Sequence, residues 1–473
     1  VNTTSGTDHA DIIIVGAGPG GCAAAVEAAR HGASVILLEA GERVGGNAAR
    51  STAYVAFQGF DMQTEAGISD SVDAFMADME AEIERQRERY GLIFDTDLAR
   101  RFAEESSDTF RFLVGLGFRF NRFIRRPLQH TTDRMVDVVE NTMFTYLFEP
   151  VLAELGVDVR TNTRAERLLN RDGAVVGVRA GGLELRADRG VILAAGGYQA
   201  NPKLRARYQP MSMADTPYLG TEHDRGDGHL MGQAVGGDLI NMTMIPSLIM
   251  VASALVEESI AVNRDGRRFH DEAGPYDDRV DALLAQPDRM AWYVFDDRVA
   301  RAKGQLVDEM PEPAASAGTL EELAGMLGCD PGGLAESVRE WNETVTSGAT
   351  EDPAFGRVIF PDPRVGIVDA PFHASRMMIG INFPAGGFRV TTDTQVIDVY
   401  GDPIPGLFAV GDCAGGVSPT IGLGGMRISA ALALGRVAGR TIATDSVRIW
   451  DEAEFREEAT LPSTSLTIAV VDE

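Results

Sequence analysis

The chain has 473 residues, too many for one small domain and enough for two domains with a large core. Hydrophobic residues make up 44% and charged residues 24%, which is globular composition and excludes general disorder. With 70 acidic against 43 basic residues the formal charge is −27, which makes nucleic acid and anionic membrane poor partners because both are repelled. Cys22, Cys329 and Cys413 lie far apart with no CxxC pair, so neither a zinc ribbon, an iron–sulfur cluster nor a disulfide framework is implied, which suits a reducing cytoplasm. The histidines show no paired spacing, and no metal site is expected. The polar N-terminal stretch has no signal-peptide pattern, and no apolar run reaches the ~18–20 residues of a membrane span.

The first motif is read from DIIIVGAGPGGCAAAVEAARHGASVILLEA. Ile12 to Val15 suits a buried parallel strand, Ala23 to Arg30 a helix stopped by Gly32, and Val35 to Leu38 a second strand. Between the first strand and the helix stand Gly16, Gly18 and Gly21, spaced G-x-G-x-x-G. Gly16 allows the tight turn, Gly18 lets backbone approach a pyrophosphate, and Gly21 permits close helix–strand packing. The helix N-terminus offers free N–H groups to phosphates. Glu39 ends the second strand about 20 residues on, where an acid accepts from ribose hydroxyls. This order marks a dinucleotide site but does not itself separate FAD from NAD.

The downstream sequence favours FAD. Ala40 leads to a second glycine pair, Gly45–Gly46, and Asn47, which let the chain pass over a flavin. Residues 66–150 read as helical and amphipathic, for example SVDAFMADMEAEIERQRERYG. Within them, Arg119, Arg122, Arg125 and Arg126 alternate with Phe118, Phe120 and Phe123, and His130 follows. Arg122 and Arg126 are candidates to hold a substrate carboxylate bidentately, with His130 beside them. Residues 156–200 read as a small β segment and a strand, VILAAGGYQA, ending in a glycine turn at Gly196. EELAGMLG and LAESVREWNETV are helical. Gly406 to Val410 is a strand feeding Gly411 and Asp412, with Asp412 placed for ribityl hydroxyls. GLGGMRISAALALGRVAGR then starts a helix whose N-terminus can face the flavin pyrimidine, where its dipole would favour the reduced anion.

Together these motifs resemble the fumarate reductase/succinate dehydrogenase flavoprotein superfamily over about Asp8 to Arg440. The resemblance rests on the glycine fingerprint with Glu39, on Gly226-Asp227-Gly228, on AVNRDGRRFHDE, on Gly386–Gly387, on Gly411–Asp412 and on Leu423-Gly424-Gly425. It implies an α/β fold in which a Rossmann-like FAD-binding domain with a parallel sheet (1–241 and 384–446) is interrupted by a smaller α+β capping domain (242–383). An acidic tail at 447–473 follows. The expected FAD contacts are Gly16, Gly18, Gly21, Glu39, Ala40, Gly45, Gly46, Asn47, Ser51, Gly196, Asp227, Gly411, Asp412, Gly425 and Ile428. The stretch Arg50 to Gln58 lacks the histidine of covalent-flavin members, so FAD is expected to be noncovalent.

The dicarboxylate branch of this superfamily needs two His and two Arg around a dianion. At those positions this chain has Ile245, Tyr276, Phe383 (or Asn382) and Gly422, which leaves fumarate or succinate without charge partners. The site residues look more like those of 3-ketosteroid and cyclic-ketone dehydrogenases. That resemblance implies Tyr276 as catalytic base in Gly274-Pro275-Tyr276 and a Gly424 N–H on the substrate carbonyl. Ile245, Phe383 and Gly422 would be substrate-side residues. The further tyrosine that polarises the ketone in the steroid branch is replaced here by Thr420, a smaller hydroxyl that is the catalytic candidate at that position, and the chain is shorter than typical steroid members, which leaves room for a smaller ring. Tyr54 is the candidate neighbour that relays the Tyr276 proton, because a free phenol with pKa ~10 is a poor base at neutral pH. The expected activity is desaturation alpha,beta to a cyclic ketone, with electrons passed to oxygen or a soluble carrier; a homo-oligomer is compatible. Reduction of an enone or enoate, and flavin binding without turnover, are the alternatives.

Overall fold

The computed structural model describes residues 8–88, 90–126, 128–209, 216–218, 220–249, 253–304, 307, 312–381, 383–417 and 423–444. The acidic tail, Thr420, Gly422 and Asn382 therefore lie outside the described residues.

The continuous apolar run IIIV, buried on both faces, forms the strand His9–Val15 at the centre of an eight-stranded sheet. Its order is Gln395–Ile397, Pro403–Ala409, Leu183–Leu193, His9–Val15, Val35–Leu38, Asp158–Arg160. Pairing is parallel from Pro403–Ala409 to Asp158–Arg160, and the register sets Ile13 between Ile36 and Val191. A hairpin, Ala165–Arg171 with Ala174–Ala180, pairs antiparallel with the first half of the long strand Leu183–Leu193.

Two small-residue helices, Pro19–Arg30 and Met426–Thr444, pack on each other and bring the two ends of the fold together. A Cβ on Gly435 would sit 2.3 Å from Gly20 O, and one on Gly439 would sit 2.3 Å from Ala24 O, so only glycine allows this approach. Arg436 Nε donates to Glu27 Oε1 at 2.7 Å inside that interface, leaving neither buried charge alone.

The segment expected to be helical over 66–150 is helical only in part. Val72–Gln86 and Thr96–Gly115 are helices, capped by Ser71 and Asp95. Phe120–Phe123 and Met135–Val138 are instead strands, and with Tyr54–Ala56 they form a three-stranded antiparallel sheet. Pairing with Met135–Val138 overrides the helical reading there, with a register irregularity between Phe120 and Phe123.

A second core surrounds the antiparallel sheet Ile260–Asn263, Ala291–Asp296, Phe372–Arg376, Ala315–Ala317. Helices Leu320–Leu327, with a Thr319/Glu322 capping box, and Pro331–Thr346 cover it. The chain crosses between the two cores through two short antiparallel ladders, Leu239–Ile240 with Gly387–Phe388 and Ser247–Ile249 with Ile379–Ile381.

The motif AVNRDGRRFHDE serves this second core. Glu272 is fully buried and takes Arg268 at 2.8 Å and Arg357 at 2.9 Å, while Arg268 also reaches Asp352 at 2.9 Å. Burial alone would push the Glu272 carboxyl up, but the two guanidinium groups hold it well below the usual carboxylate range. Trp341 lies under both cations, at 4.2 Å from Arg357 and 5.0 Å from Arg268. Glu272→Gln leaves Arg357 buried without its counter-charge and is expected to cost about 3–5 kcal/mol of stability, read from the urea unfolding midpoint.

Candidate active site

One continuous cavity runs from the glycine fingerprint to Tyr276 and Phe383. Gly16 and Gly18 line its nucleotide end, where the chain turns from the central strand into the helix Pro19–Arg30. Gly16 has φ +101 and a Cβ there would lie 2.2 Å from Ala194 O, so both conformation and space require glycine. Gly18 has an ordinary backbone, and nothing lies within 4 Å of its missing Cβ. Its open side is a cradle that a side chain would fill, which fits a pyrophosphate against the helix N-terminus. Glu39 lines the same end and organises it: its carboxylate accepts from Ala17 N at 2.9 Å and Gly41 N at 2.6 Å.

Of the other expected cofactor contacts, Ala40, Gly46, Asn47, Ser51, Gly196, Asp227, Gly411, Asp412, Gly425 and Ile428 line the cavity. Gly21 and Gly45 do not. A Gly21 Cβ would meet Gly16 O at 1.9 Å, and a Gly45 Cβ would meet Thr145 Oγ1 at 2.6 Å, so both serve packing behind the wall. Asn47 is drawn into a bracket of its own: Nδ2 donates to Asp224 Oδ2 at 2.6 Å and Oδ1 accepts from Thr221 N at 2.9 Å. Burial raises the Asp224 carboxyl to about 6, against the pull of Tyr218 and Asn47. Asp227 pairs with Arg164, whose Nη2 also lies 3.2 Å from His223 Nδ1.

At the far end the cavity is lined by Tyr54, Leu248, Ile249, Tyr276, Phe383 and Leu423. Tyr276 is the first residue of the helix Tyr276–Leu284, with the Arg279 guanidinium 4.5 Å from its ring centre. The next residue, Asp277, is clamped by Arg85 at 3.0 and 3.1 Å and by Gln86 at 2.9 Å, which fixes the start of that helix on Val72–Gln86. Tyr54 stands on the strand Tyr54–Ala56 opposite Asp137, and burial pushes its phenol well above the usual range.

Several expectations need correction. Ile245 is not on the cavity wall; it packs with Tyr198, Leu204, Met242 and Ile381, and Leu248 and Ile249 face the cavity instead. Arg122 and Arg126 do not line the cavity either. Both donate to Glu257, at 3.1 and 2.9 Å, so the carboxylate they hold belongs to the protein. His130 is buried, with Nε2 2.9 Å from Gly424 O, and burial lowers its pKa to about 4, leaving a neutral ring behind the site. Gly424 lines the cavity, but its N–H donates to Gln129 Oε1 at 3.1 Å rather than being open for a substrate carbonyl. Thr420 and Gly422 fall outside the described residues.

Arg427 was not anticipated. It lines the cavity, donates to Pro384 O, lies 3.7 Å from Asp412 and covers the Phe383 ring at 4.5 Å. Burial raises the Asp412 carboxyl, and the charge of Arg427 pulls it back. A cation in the first turn of a helix opposes the helix dipole, and that misfit is the signal the sequence offers.

The FAD binding domain family matches residues 11–428. The chain belongs to this family, that of the fumarate reductase and succinate dehydrogenase flavoproteins. It is 30% identical over 458 residues to the probable fumarate reductase Ifc3 of Shewanella frigidimarina, covering 92% of this chain and 74% of that one. It is 28% identical to the 4-oxocyclohex-2-ene-1-carboxylate 5-dehydrogenase of Sinomonas cyclohexanicum, covering 92% and 93%. Among solved structures it resembles the 3-ketosteroid-delta4-(5alpha)-dehydrogenase of Rhodococcus jostii RHA1 in complex with 4-androstene-3,17-dione. There the TM-score is 0.67 and the identity 26%, over 94% of this chain and 99% of that one. The flavoprotein is thus an FAD-dependent oxidoreductase whose relatives act as dehydrogenases and reductases on carbon–carbon bonds. No helix among the described residues is long and apolar enough to cross a membrane.

Proposed function

We propose that the flavoprotein is a dehydrogenase that introduces a C=C bond alpha,beta to the carbonyl of a cyclic ketone. The observation that supports this is the pair of phenols, Tyr54 and Tyr276, sharing with Phe383, Leu248 and Ile249 the cavity that begins at the nucleotide fingerprint. Apart from Arg427 over Phe383, this wall is made of phenols and apolar side chains, which suits a ring better than a small dianion. Bound FAD supplies the hydride acceptor. Tyr276, as phenolate, takes the proton alpha to the carbonyl. The C–H bond breaks, its electron pair enters the new double bond as the beta hydrogen leaves with its own pair, and Tyr276 later returns its proton to water. Tyr54 stands beside it as the proton-exchanging neighbour. Gly424 N–H is committed to Gln129 and is not assigned the substrate oxygen.

The substrate class is a keto-cyclohexane, including one bearing a carboxylate, or a 3-ketosteroid. Arg427 over Phe383, rather than Arg122 or Arg126, is the guanidinium on the wall of this cavity beside the ring site. Oxygen or a soluble carrier would reoxidise the enzyme. Reduction of an enone or enoate is the second reading, favoured by the reductases among the relatives; it differs in electron source rather than in these residues. The experiment that separates the two is substrate-driven reduction of the bound flavin without oxygen.

A further inference from the structure

The last turn of the helix Val72–Gln86 carries Glu82, Arg85 and Gln86 at positions i, i+3 and i+4, so the three side chains share one face. Earlier turns of the same helix place Phe75, Met76 and Met79 in the core around the large sheet. The polar face meets Asp277, 192 residues away in the chain. Arg85 grips that carboxylate with both prongs of its fork, Nη2 to Oδ1 at 3.0 Å and Nη1 to Oδ2 at 3.1 Å. Its Nε and Nη2 also donate to Glu82, at 2.8 and 3.1 Å. Gln86 Nε2 donates to both carboxylates, at 3.0 Å to Glu82 and 2.9 Å to Asp277. Glu82, Gln86 and Asp277 are all buried, and the exposed Asp278 lies 3.8 Å from Arg85.

Asp277 is the residue next to Tyr276, and the helix that begins there has a weak start of its own. Its N-cap is Pro275, which makes no side-chain cap bond. Its apolar side chains come a turn or more later, where Val280 and Leu283 pack with Ile249, Ala291 and Tyr293. Arg279 covers the Tyr276 ring at 4.5 Å but stands on the same helix and moves with it. The far part of the helix is therefore anchored in one core, and its first turn is tied by Arg85 and Gln86 to the other. A reacting side chain has to be held to within about 0.5 Å and 10–20° of its working position. The phenol of Tyr276 is on the cavity wall at the very end of this helix, where a tilt moves it most.

We propose that Arg85, Gln86 and Asp277 are positioning residues for the proton transfer, a clamp between the two cores that sets where the Tyr276 phenol stands in the cavity. The proposal rests on the reading of Tyr276 as base. None of the three touches the cavity; they act through the backbone that Asp277 shares with Tyr276. Glu82 holds the Arg85 fork in line, so the clamp is rigid on the side of Val72–Gln86. A misplacement of about 1 Å at a reacting group can cost about 10²-fold in rate without any loss of binding contacts.

The test uses the FAD-loaded protein in single turnover without oxygen, with 4-oxocyclohexanecarboxylate as the probe. Arg85→Ala is expected to lower the limiting rate of flavin reduction by about 10- to 100-fold. The half-saturating ketone concentration is expected to stay within about threefold of the parent. Arg85→Lys keeps a charge toward Asp277 without the fork and is expected to recover part of the loss. Asp277→Asn, which keeps the shape and loses the charge, is the second variant should Arg85→Ala fail to fold, and is expected to act in the same direction. In a Tyr276→Phe background Arg85→Ala is expected to cost little more, because the group it positions is gone. Hydrogen exchange of residues 276–284 in the oxidised protein, a readout without turnover, is expected to speed up in Arg85→Ala. A parent rate in Arg85→Ala, or an equal loss in both backgrounds, overturns the proposal. A parent rate in Tyr276→Phe, or no flavin reduction in the parent protein, fails the base reading instead, and hydrogen exchange then decides the clamp alone: faster exchange supports it, unchanged exchange overturns it.

Discussion

Tyr276→Phe is expected to lower the rate of substrate-driven flavin reduction by about 10²- to 10⁴-fold, the usual share of a positioned acid–base group. FAD content and the unfolding midpoint are expected to stay near those of the parent. The substitution removes one oxygen and keeps the ring that Arg279 covers at 4.5 Å. The start of the helix is held by Asp277 with Arg85 and Gln86, none of which depends on the phenol oxygen. Single-turnover kinetics separate the chemical step from binding, so the loss should appear there. A variant that reduces its flavin at the parent rate would remove Tyr276 from the chemistry.

The second large effect separates two glycines of one motif. Gly18→Val is expected to leave the fold intact and weaken FAD binding by roughly 10- to 100-fold, the loss of one or two charge-assisted hydrogen bonds worth about 1.5–3 kcal/mol. The backbone at Gly18 is ordinary, with φ −69, and the space beside it belongs to the cavity. Gly21→Ala is expected to destabilise the apoprotein on the order of 3 kcal/mol, because its methyl would be driven into Gly16 O at 1.9 Å. Flavin fluorescence titration reads the first and urea unfolding of the apoprotein the second. Equal stability losses in both would mean that the Gly18 space is structural.

The central architecture was legible because its signals are local. The run IIIV, the glycine spacing and the small-residue helix specify a buried strand, a turn and a close-packed helix within a short stretch, and the structure has them at His9–Val15 and Pro19–Arg30. The closing helix Met426–Thr444 was legible for the same reason. The helical reading of 66–150 failed around FRFNRF, because the strand Phe120–Phe123 is set by pairing with Met135–Val138 rather than by a local period.

The site was less legible because its decisive contacts are long-range. Arg126 looked like a substrate anchor since its carboxylate, Glu257, is 131 residues away in the chain. The same holds for Gly424, whose N–H is taken by Gln129 across 295 residues. Ile245 was displaced from the wall by Leu248 and Ile249, because the strand Ser247–Ile249 that carries them is set by pairing with Ile379–Ile381. Arg427 was visible as a cation in a helix's first turn, a local misfit that the flavin motifs around it obscured.

The measurement that bears most directly on the central claim is an anaerobic titration of the bound flavin with 4-oxocyclohexanecarboxylate, cyclohexanone, a 3-ketosteroid and succinate. Bleaching by a cyclic ketone and not by succinate is the predicted result, and the ketone that bleaches fastest identifies the ring. Bleaching by succinate alone would contradict the account, since a dianion would then be bound at a wall of Tyr54, Tyr276, Phe383, Leu248 and Ile249 with Arg427 as its guanidinium. Bleaching by none of the four, with reoxidation of the pre-reduced protein by an enone, would contradict the desaturase direction and establish the reductase.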